Sequence, residues 1–154
     1  MNKQVWIEKA LGLGIQEFEI YQSTTVEKEM TWFQGQMDTL VSSKVTGTSI
    51  RGIVDGKMAN MALEEIDDSM CETVLKSLIE QAHIISNEET DSLRKPEAIE
   101  YVKKDVTWNM ASTEYVKDIL QSLEAKILAY DPRVIQVGYL GYSQGSGSRS
   151  IVNS

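Results

Sequence analysis

A G-x-S-x-G motif near the end of the 154-residue chain is the feature that most suggests catalysis. It spans Gly141–Gly145 and places Ser143 where the nucleophile of a serine hydrolase would stand. A nucleophile elbow needs a strand before the serine and a helix after it, so that helix amides face the oxyanion. Here a Gly- and Ser-rich stretch and a β-type run follow instead. We therefore predict that Ser143 lies in a hairpin loop and is not catalytic.

The histidine and cysteine content argues against other catalytic centres. The α/β-hydrolase order places the histidine after the serine, whereas His83, the only histidine, precedes Ser143. One histidine cannot form an H-E-x-x-H motif, and the lone Cys71 allows neither an internal disulfide nor a cysteine-rich metal site. We predict that His83 is a partly exposed helical residue. We also predict no catalytic, cofactor-binding or metal-binding residue in this chain.

Two groups of charged residues have a structural interpretation. Glu64-Glu65 and Asp67-Asp68 precede a predicted helix, where carboxylates stabilise the positive end of the helix dipole. A divalent-cation site is the alternative. Arg51 lies inside an apolar strand, so its charge must pair or reach solvent. We expect a structural ion pair there, with a ligand contact as the alternative.

The composition excludes nucleic acid and membranes as partners. The net charge is −8, and phosphate binding requires Lys and Arg gathered on one face. The nearest basic clusters, Arg94-Lys95 and Lys103-Lys104, lie among acidic residues. Met1 is followed directly by polar residues, which argues against a signal peptide, and no apolar run approaches the roughly 18 residues of a membrane span. With its single cysteine, the protein is expected in the reducing cytoplasm.

The periodicity of apolar residues predicts the elements that hold these side chains. Period-3.6 patterns predict helices over 3–13, roughly 68–86, and from Ser112 to the Asp131-Pro132 stop. The third helix has Val116, Ile119, Leu120, Leu123 and Ile127 as its predicted apolar face. Period-2 patterns predict separate strands in EFEIYQST, EKEMTWFQ, QMDTLVSSK, SIRGIV, KMANMAL, RVIQVGYLGY and SRSIVNS. The polar stretch 87–111 predicts an excursion packed on the surface.

The best local signal is Asp55-Gly56 between two apolar runs, which predicts a two-residue type I′ hairpin. This turn fixes the register of the two strands around it. The predicted pairs are Val54 with Lys57, Gly52 with Ala59, and Ile50 with Met61. Gly52 and Ala59 are small, which would let a helix pack close to the sheet.

Strands and helices are segregated along the chain, and tight turns join the first strands. This order predicts an α+β fold, with an antiparallel or mixed sheet of four to six strands and two or three helices packed on one face.

The ordered set of segments resembles the N-terminal domain of the TldD/PmbA family, once labelled modulators of DNA gyrase. The matching pieces are spread over most of the chain in the family's order. They are GIQEFEIY, GTSIRGIVDGK, DPRV and the closing R-x-I-V-N-S. The loose ending GYSQGSGSRSIVNS is more similar to PmbA than to TldD.

The resemblance implies a cytoplasmic metallopeptidase system of two related subunits, acting as a homodimer or heterodimer on unfolded peptides. One subunit would bind zinc through an H-E-x-x-x-H motif in a C-terminal domain, and the PmbA-like subunit lacks that motif. None of these metal ligands matches a position in this chain, so we expect no cofactor here. The chain would help form the peptide cleft and the subunit interface.

The expected domain organisation follows from the same resemblance. Residues 1–133 would form the N-terminal domain, and residues 134–154 a hairpin that leads toward an absent C-terminal domain. The end at Ser154 is then expected to be a truncation. Two alternatives stay open: a free-standing binding module, and a small hydrolase that uses Ser143 or a carboxylate–metal site.

Overall fold

The computed structural model describes residues 1–86, 88–93 and 109–154. It contains a four-stranded antiparallel sheet in the order β3-β2-β1-β4, together with three α-helices in the described residues. The elements in chain order are α1 (Lys3–Gly12), β1 (Glu17–Phe33), β2 (Gln36–Val54), β3 (Lys57–Leu63), α2 (Cys71–Ile84), α3 (Thr113–Leu128) and β4 (Leu140–Asn153). The predicted α+β fold is confirmed.

The strands are fewer and longer than the sequence predicts. The first two predicted strands form the single strand β1, because no Gly or Pro interrupts residues 17–33. The buried apolar residues Phe18, Ile20, Met30 and Trp32 all occupy even positions along it. The third and fourth predicted strands also form one strand, β2, although β2 contains Gly47 and Gly52.

Two tight turns connect the first three strands. Gln34 and Gly35 have φ angles of 48° and 78°, and the β1–β2 hairpin turns at these residues. Asp55 and Gly56 have φ angles of 49° and 74°, as a type I′ turn requires. The predicted register is confirmed: Val54 pairs with Lys57, Gly52 with Ala59, and Ile50 with Met61.

The predicted hairpin over 134–154 is wrong, because one strand, β4, runs from Leu140 to Asn153. The Gly- and Ser-rich stretch that reads as a loop lies within this strand. A Cβ atom on Gly145 would stand 3.3 Å from the Cγ atom of Glu27 in β1, so a residue without a side chain suits this close approach. The side-chain amide of Gln144 accepts from the Ala111 N–H (2.9 Å) and donates to the Ala111 carbonyl (3.2 Å). Strand pairing therefore prevails over the local preference for a turn.

The described residues form two compact units. The first contains residues 1–24, 45–86, 88–93 and 148–154, and the second contains residues 25–44 and 109–147. The division of the chain at 133/134 stays a prediction. Of the predicted surface excursion, residues 87 and 94–108 lie outside the described residues, as do the basic pairs Arg94-Lys95 and Lys103-Lys104.

The core of the first unit lies between α1, α2 and the sheet. Its buried residues include Trp6, Ala10, Ile15, Phe18, Ile20, Ile50, Ala59, Cys71, Val74, Leu75, Leu78 and Ala82. The expected close packing at Gly52 is confirmed. A Cβ atom there would lie 2.8 Å from the Cδ2 atom of Leu78 in α2 and 3.0 Å from the Cγ2 atom of Ile15.

The described part of the second unit has a core of four buried residues, Met30, Trp32, Val116 and Leu120. Helix α3 begins at its predicted cap, where the Ser112 hydroxyl accepts from the Tyr115 N–H at 3.1 Å.

The predicted apolar face of α3 is only partly buried. Ile119 and Leu123 are 36% and 43% exposed, whereas Glu124 is buried. The prediction is therefore wrong for Ile119 and Leu123. None of the helices in the described part of the chain combines the length and hydropathy that a bilayer span requires.

Candidate functional site

Ser143 lies within β4, with strand before and after it. The predicted hairpin loop is therefore wrong at this position. The helix that a nucleophile elbow requires after the serine is equally missing, because β4 continues to Asn153. Ser143 lines a cavity of about 350 Å³ together with Glu29, Thr31 and Tyr139. That Ser143 is not catalytic stays a prediction, and its strand geometry supports it.

His83 lies near the end of α2, and 57% of its side chain is exposed. The predicted partly exposed helical histidine is confirmed. Its Nε2 atom lies 3.6 Å from the Oδ2 atom of Asp55, which is 81% exposed. An interaction between two such exposed groups contributes little to stability.

In the acidic run, Asp67 caps the short 3-10 turn Asp68–Met70 that precedes α2, whereas α2 itself has no side-chain cap. The Asp67 carboxylate accepts from the Ser69 hydroxyl (2.5 Å) and the Ser69 N–H (2.8 Å), and these bonds lower its pKa. The Asp68 carboxylate accepts from the Asn2 N–H (2.8 Å) and the Trp6 indole N–H (2.9 Å), and these bonds lower its pKa. Asp68 thereby joins the start of α1 to the turn that precedes α2.

The expected ion pair of Arg51 is confirmed. Its Nε and Nη2 atoms lie 3.0 Å and 2.5 Å from Oε1 of Glu19, a residue that is only 7% exposed. Burial raises the pKa of the Cys71 thiol, so this thiol is a poor nucleophile. In residues 1–86, 88–93 and 109–154, no three His, Cys, Asp or Glu side chains form a possible metal-binding group.

The part of β2 that follows the β1–β2 turn forms an exposed surface in the second unit. All of residues 36–42, which we call the exposed strand segment, are exposed. Met37, Leu40 and Val41 expose 45%, 42% and 52% of their surface. Because β3 pairs only with residues 48–54 of β2, this segment has no β3 partner on its outer side.

A strand with an unpaired edge and exposed apolar residues is a template for pairing with another chain. Natural proteins cover or charge such edges unless the edge serves a contact. Here the segment carries one charged residue, Asp38, and three large apolar ones. The arrangement is typical of a protein-contact surface.

Side-chain contacts hold the exposed strand segment in place. The Thr39 N–H donates to the Thr31 hydroxyl of β1 at 3.0 Å, and the two threonine hydroxyls lie 2.6 Å apart. At the turn before the segment, the Gly35 N–H donates to Glu124 of α3 at 3.2 Å. The surface is thus presented by a strand tied to a neighbouring strand and a helix.

Sequence reasoning did not find this surface, although the residues carry a signal for it. Along QMDTLVSSK the apolar residues fall on both odd positions (Met37, Val41) and an even position (Leu40). A strand with one buried face would keep them on one parity. Glu124 was also missed, because a glutamate within a helical stripe reads as a solvent-facing residue.

The fold and the exposed strand segment define an α+β domain with an edge suited to protein contacts. Residues 18–86 match the family described as PmbA/TldA metallopeptidase domain 1. This match confirms, over residues 18–86, the resemblance to the N-terminal domain of the TldD/PmbA family seen in the sequence. None of the curated protein sequences compared with the chain matches it significantly.

Three solved structures share this fold at low sequence identity. TldE from Thermococcus kodakarensis aligns with a TM-score of 0.82 and 18% identity, over 99% of this chain and 34% of its own. A proposed modulator of a DNA gyrase from Thermotoga maritima aligns with a TM-score of 0.75 and 17% identity, over 99% of this chain and 34% of its own. A proposed modulator of DNA gyrase from Bacteroides thetaiotaomicron aligns with a TM-score of 0.67 and 17% identity, over 98% of this chain and 35% of its own. The chain therefore spans about a third of the length of these proteins.

Proposed function

We propose that this chain is the N-terminal domain of a TldD/PmbA-like subunit in a cytoplasmic metallopeptidase complex. In this proposal the domain forms part of the subunit interface, helps wall a peptide cleft and carries no catalytic site of its own. The parent subunit is of the non-catalytic, PmbA-like type, and a related subunit of the same family is the partner, in a homodimer or heterodimer. Zinc belongs to the catalytic subunit, and unfolded peptides are the substrates.

The observation that carries this proposal is the exposed strand segment. A strand accessible on its faces and along one edge, with apolar side chains, supports a stable contact with a second polypeptide. The described residues provide no metal-binding group and no nucleophile elbow, which supports a role in contact rather than in bond cleavage. The family match supports the choice of a related subunit as the partner.

The direct test is binding of the chain to a TldD-type subunit that carries H-E-x-x-x-H. The variant Val41→Lys places a charge in the exposed strand segment and should weaken binding by roughly tenfold or more. Ile84→Lys is the matched control, because Ile84 is 80% exposed at the end of α2 and lies outside the segment. Circular dichroism would establish that both variants fold.

Equal binding by the Val41→Lys variant and the unmodified chain would contradict the proposed interface. The catalytic part of the proposal has a separate test. The chain alone, incubated with zinc and an unfolded peptide, should show no cleavage, and a fluorophosphonate probe should not label Ser143. Metal-dependent cleavage by the chain alone would refute the assignment as a non-catalytic domain.

A further inference from the structure

The second unit contains an open cavity of about 410 Å³ beside the β1–β2 turn. Its lining combines the turn residues Gln34 and Gly35, the α3 residues Glu124 and Leu128, and residues 135–137. This volume lies within the roughly 300–1,000 Å³ that ligand pockets occupy. The cavity therefore has room for a side chain of a second molecule.

The polar centre of this cavity is a buried carboxylate. Glu124 is only 8% exposed. Its Oε2 atom accepts from the Trp32 indole N–H at 2.7 Å, and its Oε1 atom accepts from the Gly35 N–H at 3.2 Å. Two neutral donors orient the carboxylate and leave part of its acceptor capacity unused.

The charge of Glu124 has no cationic partner among the described residues. Ion pairs there join Arg51 with Glu19, Lys76 with Glu72, and Arg133 with Asp131, and His83 lies 3.6 Å from Asp55. None of them involves Glu124. A buried carboxylate is stabilised by a positive charge, and such a charge would have to arrive from outside this part of the chain.

The walls of the cavity specify what kind of cation fits. Leu128, Ile135 and Val137 provide apolar surface for a hydrocarbon stem. Gln34 and Gln136 provide amide oxygens that can accept further N–H groups. An apolar stem that ends in a cationic head with several donors is the chemistry of lysine and arginine. The chain's net charge of −8 favours the approach of a basic ligand.

We propose that this cavity binds the side chain of a lysine or arginine residue in an extended peptide, with Glu124 as its ionic partner. The inference rests on the peptide-binding part of the proposed function and specifies the peptide's chemistry. It adds a side-chain preference for basic residues close to the turn that begins the exposed strand segment.

The test is titration of the chain with a short alanine peptide that has one central arginine and blocked ends. Its comparison peptide carries citrulline, which has nearly the same shape without the charge. We expect chemical-shift changes at the Trp32 indole N–H and the Gly35 N–H with the arginine peptide. The citrulline peptide should bind roughly tenfold more weakly or worse. A lysine peptide should bind, and its norleucine analogue should not.

Two variants identify the group that binds. Glu124→Gln keeps a side-chain acceptor for Trp32 and removes the charge, so arginine-peptide affinity should fall by roughly tenfold or more. Asp118→Asn is the matched control, because Asp118 is an exposed carboxylate on the same helix, and its affinity should not change. Val137→Trp fills the cavity without altering its charge and should also abolish binding. It provides a second test if the Glu124→Gln variant proves unstable.

The inference is overturned if the arginine and citrulline peptides bind equally. It is equally overturned if the Glu124→Gln and Val137→Trp variants both bind like the unmodified chain, or if no basic peptide binds below about 1 mM. None of these variants lies in residues 36–42. Binding of the TldD-type subunit can therefore be measured on the same proteins, and failure of the interface is distinguishable from failure of the cavity.

Discussion

The close approach of α2 to the sheet at Gly52 makes a sharp prediction about stability. We expect Gly52→Ala to destabilise the first unit, although alanine is normally the better strand residue. The added methyl group would lie 2.8 Å from the Cδ2 atom of Leu78 and 3.0 Å from the Cγ2 atom of Ile15. Carbon atoms at optimal separation are about 3.5–4.0 Å apart.

The magnitude follows from two opposing effects. Leu78 and Ile15 are 0% and 1% exposed, so neither side chain can rotate into solvent to relieve the contact. Overpacking of this kind costs about 1–3 kcal/mol. Replacing glycine by alanine at a position without positive φ stabilises a protein by about 0.4–1 kcal/mol, because it reduces the conformational entropy of the unfolded chain. We therefore expect a net loss of about 1–2 kcal/mol.

The matched control is Gly47→Ala in the same strand. A Cβ atom on Gly47 meets only the Ser23 hydroxyl oxygen, at 3.9 Å, which is an ordinary contact. This variant should gain up to about 1 kcal/mol. Urea unfolding followed by circular dichroism gives both free energies, and the difference between the two variants isolates the cost of overpacking. Adding Leu78→Val to Gly52→Ala should recover part of that cost.

The outcome that would refute this reasoning is a Gly52→Ala variant at least as stable as the Gly47→Ala variant. Such a result would mean that α2 can move away from the sheet without loss. It would also mean that the small Gly52–Ala59 pair does not set the distance between them.

Three further predictions concern polar groups. The bonds from the Asn2 N–H and the Trp6 indole N–H lower the pKa of Asp68 below its ordinary value. The contribution of Asp68 to the free energy of unfolding is therefore present above about pH 4 and lost as the pH falls. Asp68→Asn should flatten this part of an acid-unfolding curve. Arg51→Met should lower the free energy of unfolding by about 1 kcal/mol, because it leaves the buried Glu19 without its cation, although Arg51 itself is 43% exposed. A double-mutant cycle with Glu19→Gln would measure the coupling energy of the pair. A coupling energy near zero would contradict this prediction. Trp32→Phe should lower the free energy of unfolding, measured in urea, by about 1–3 kcal/mol, because the buried Glu124 carboxylate loses one of its two hydrogen-bond donors. Unchanged stability would show that the hydrogen bond from Trp32 is dispensable.

The sequence predicts features that local chemistry determines. Asp55-Gly56 requires positive φ at two successive positions, so it fixes the turn type and the register of β2 with β3. Ser112 precedes an amphipathic run and caps α3 as expected. In each case the preference and the final structure depend on a few adjacent residues.

The features that the sequence does not predict depend on distant partners. Residues 144–147 have turn composition, yet they lie in β4, where Gln144 bonds to Ala111. In α3 the stripe predicts burial of Leu123, whereas the next residue, Glu124, is buried because Trp32 and Gly35 donate to it. No pattern within the α3 sequence indicates that donors on another strand and its turn need a hydrogen-bond acceptor at Glu124.

The unequal distribution of the core explains why both proposed binding features lie in the second unit. The described part of the first unit buries a large apolar cluster around Trp6, Phe18 and Leu75, whereas the cluster in the described part of the second unit consists of Met30, Trp32, Val116 and Leu120. Stability scales with buried apolar area, so among the described residues those of the first unit contribute the larger share of it. In the described part of the second unit, Met37, Leu40 and Val41 are exposed, and the buried Glu124 carboxylate has no cationic partner. Apolar contact and positive charge are what a partner chain and a basic peptide would supply. The first unit thus has the properties of a structural support, and the second unit has the properties of a surface that binds other molecules.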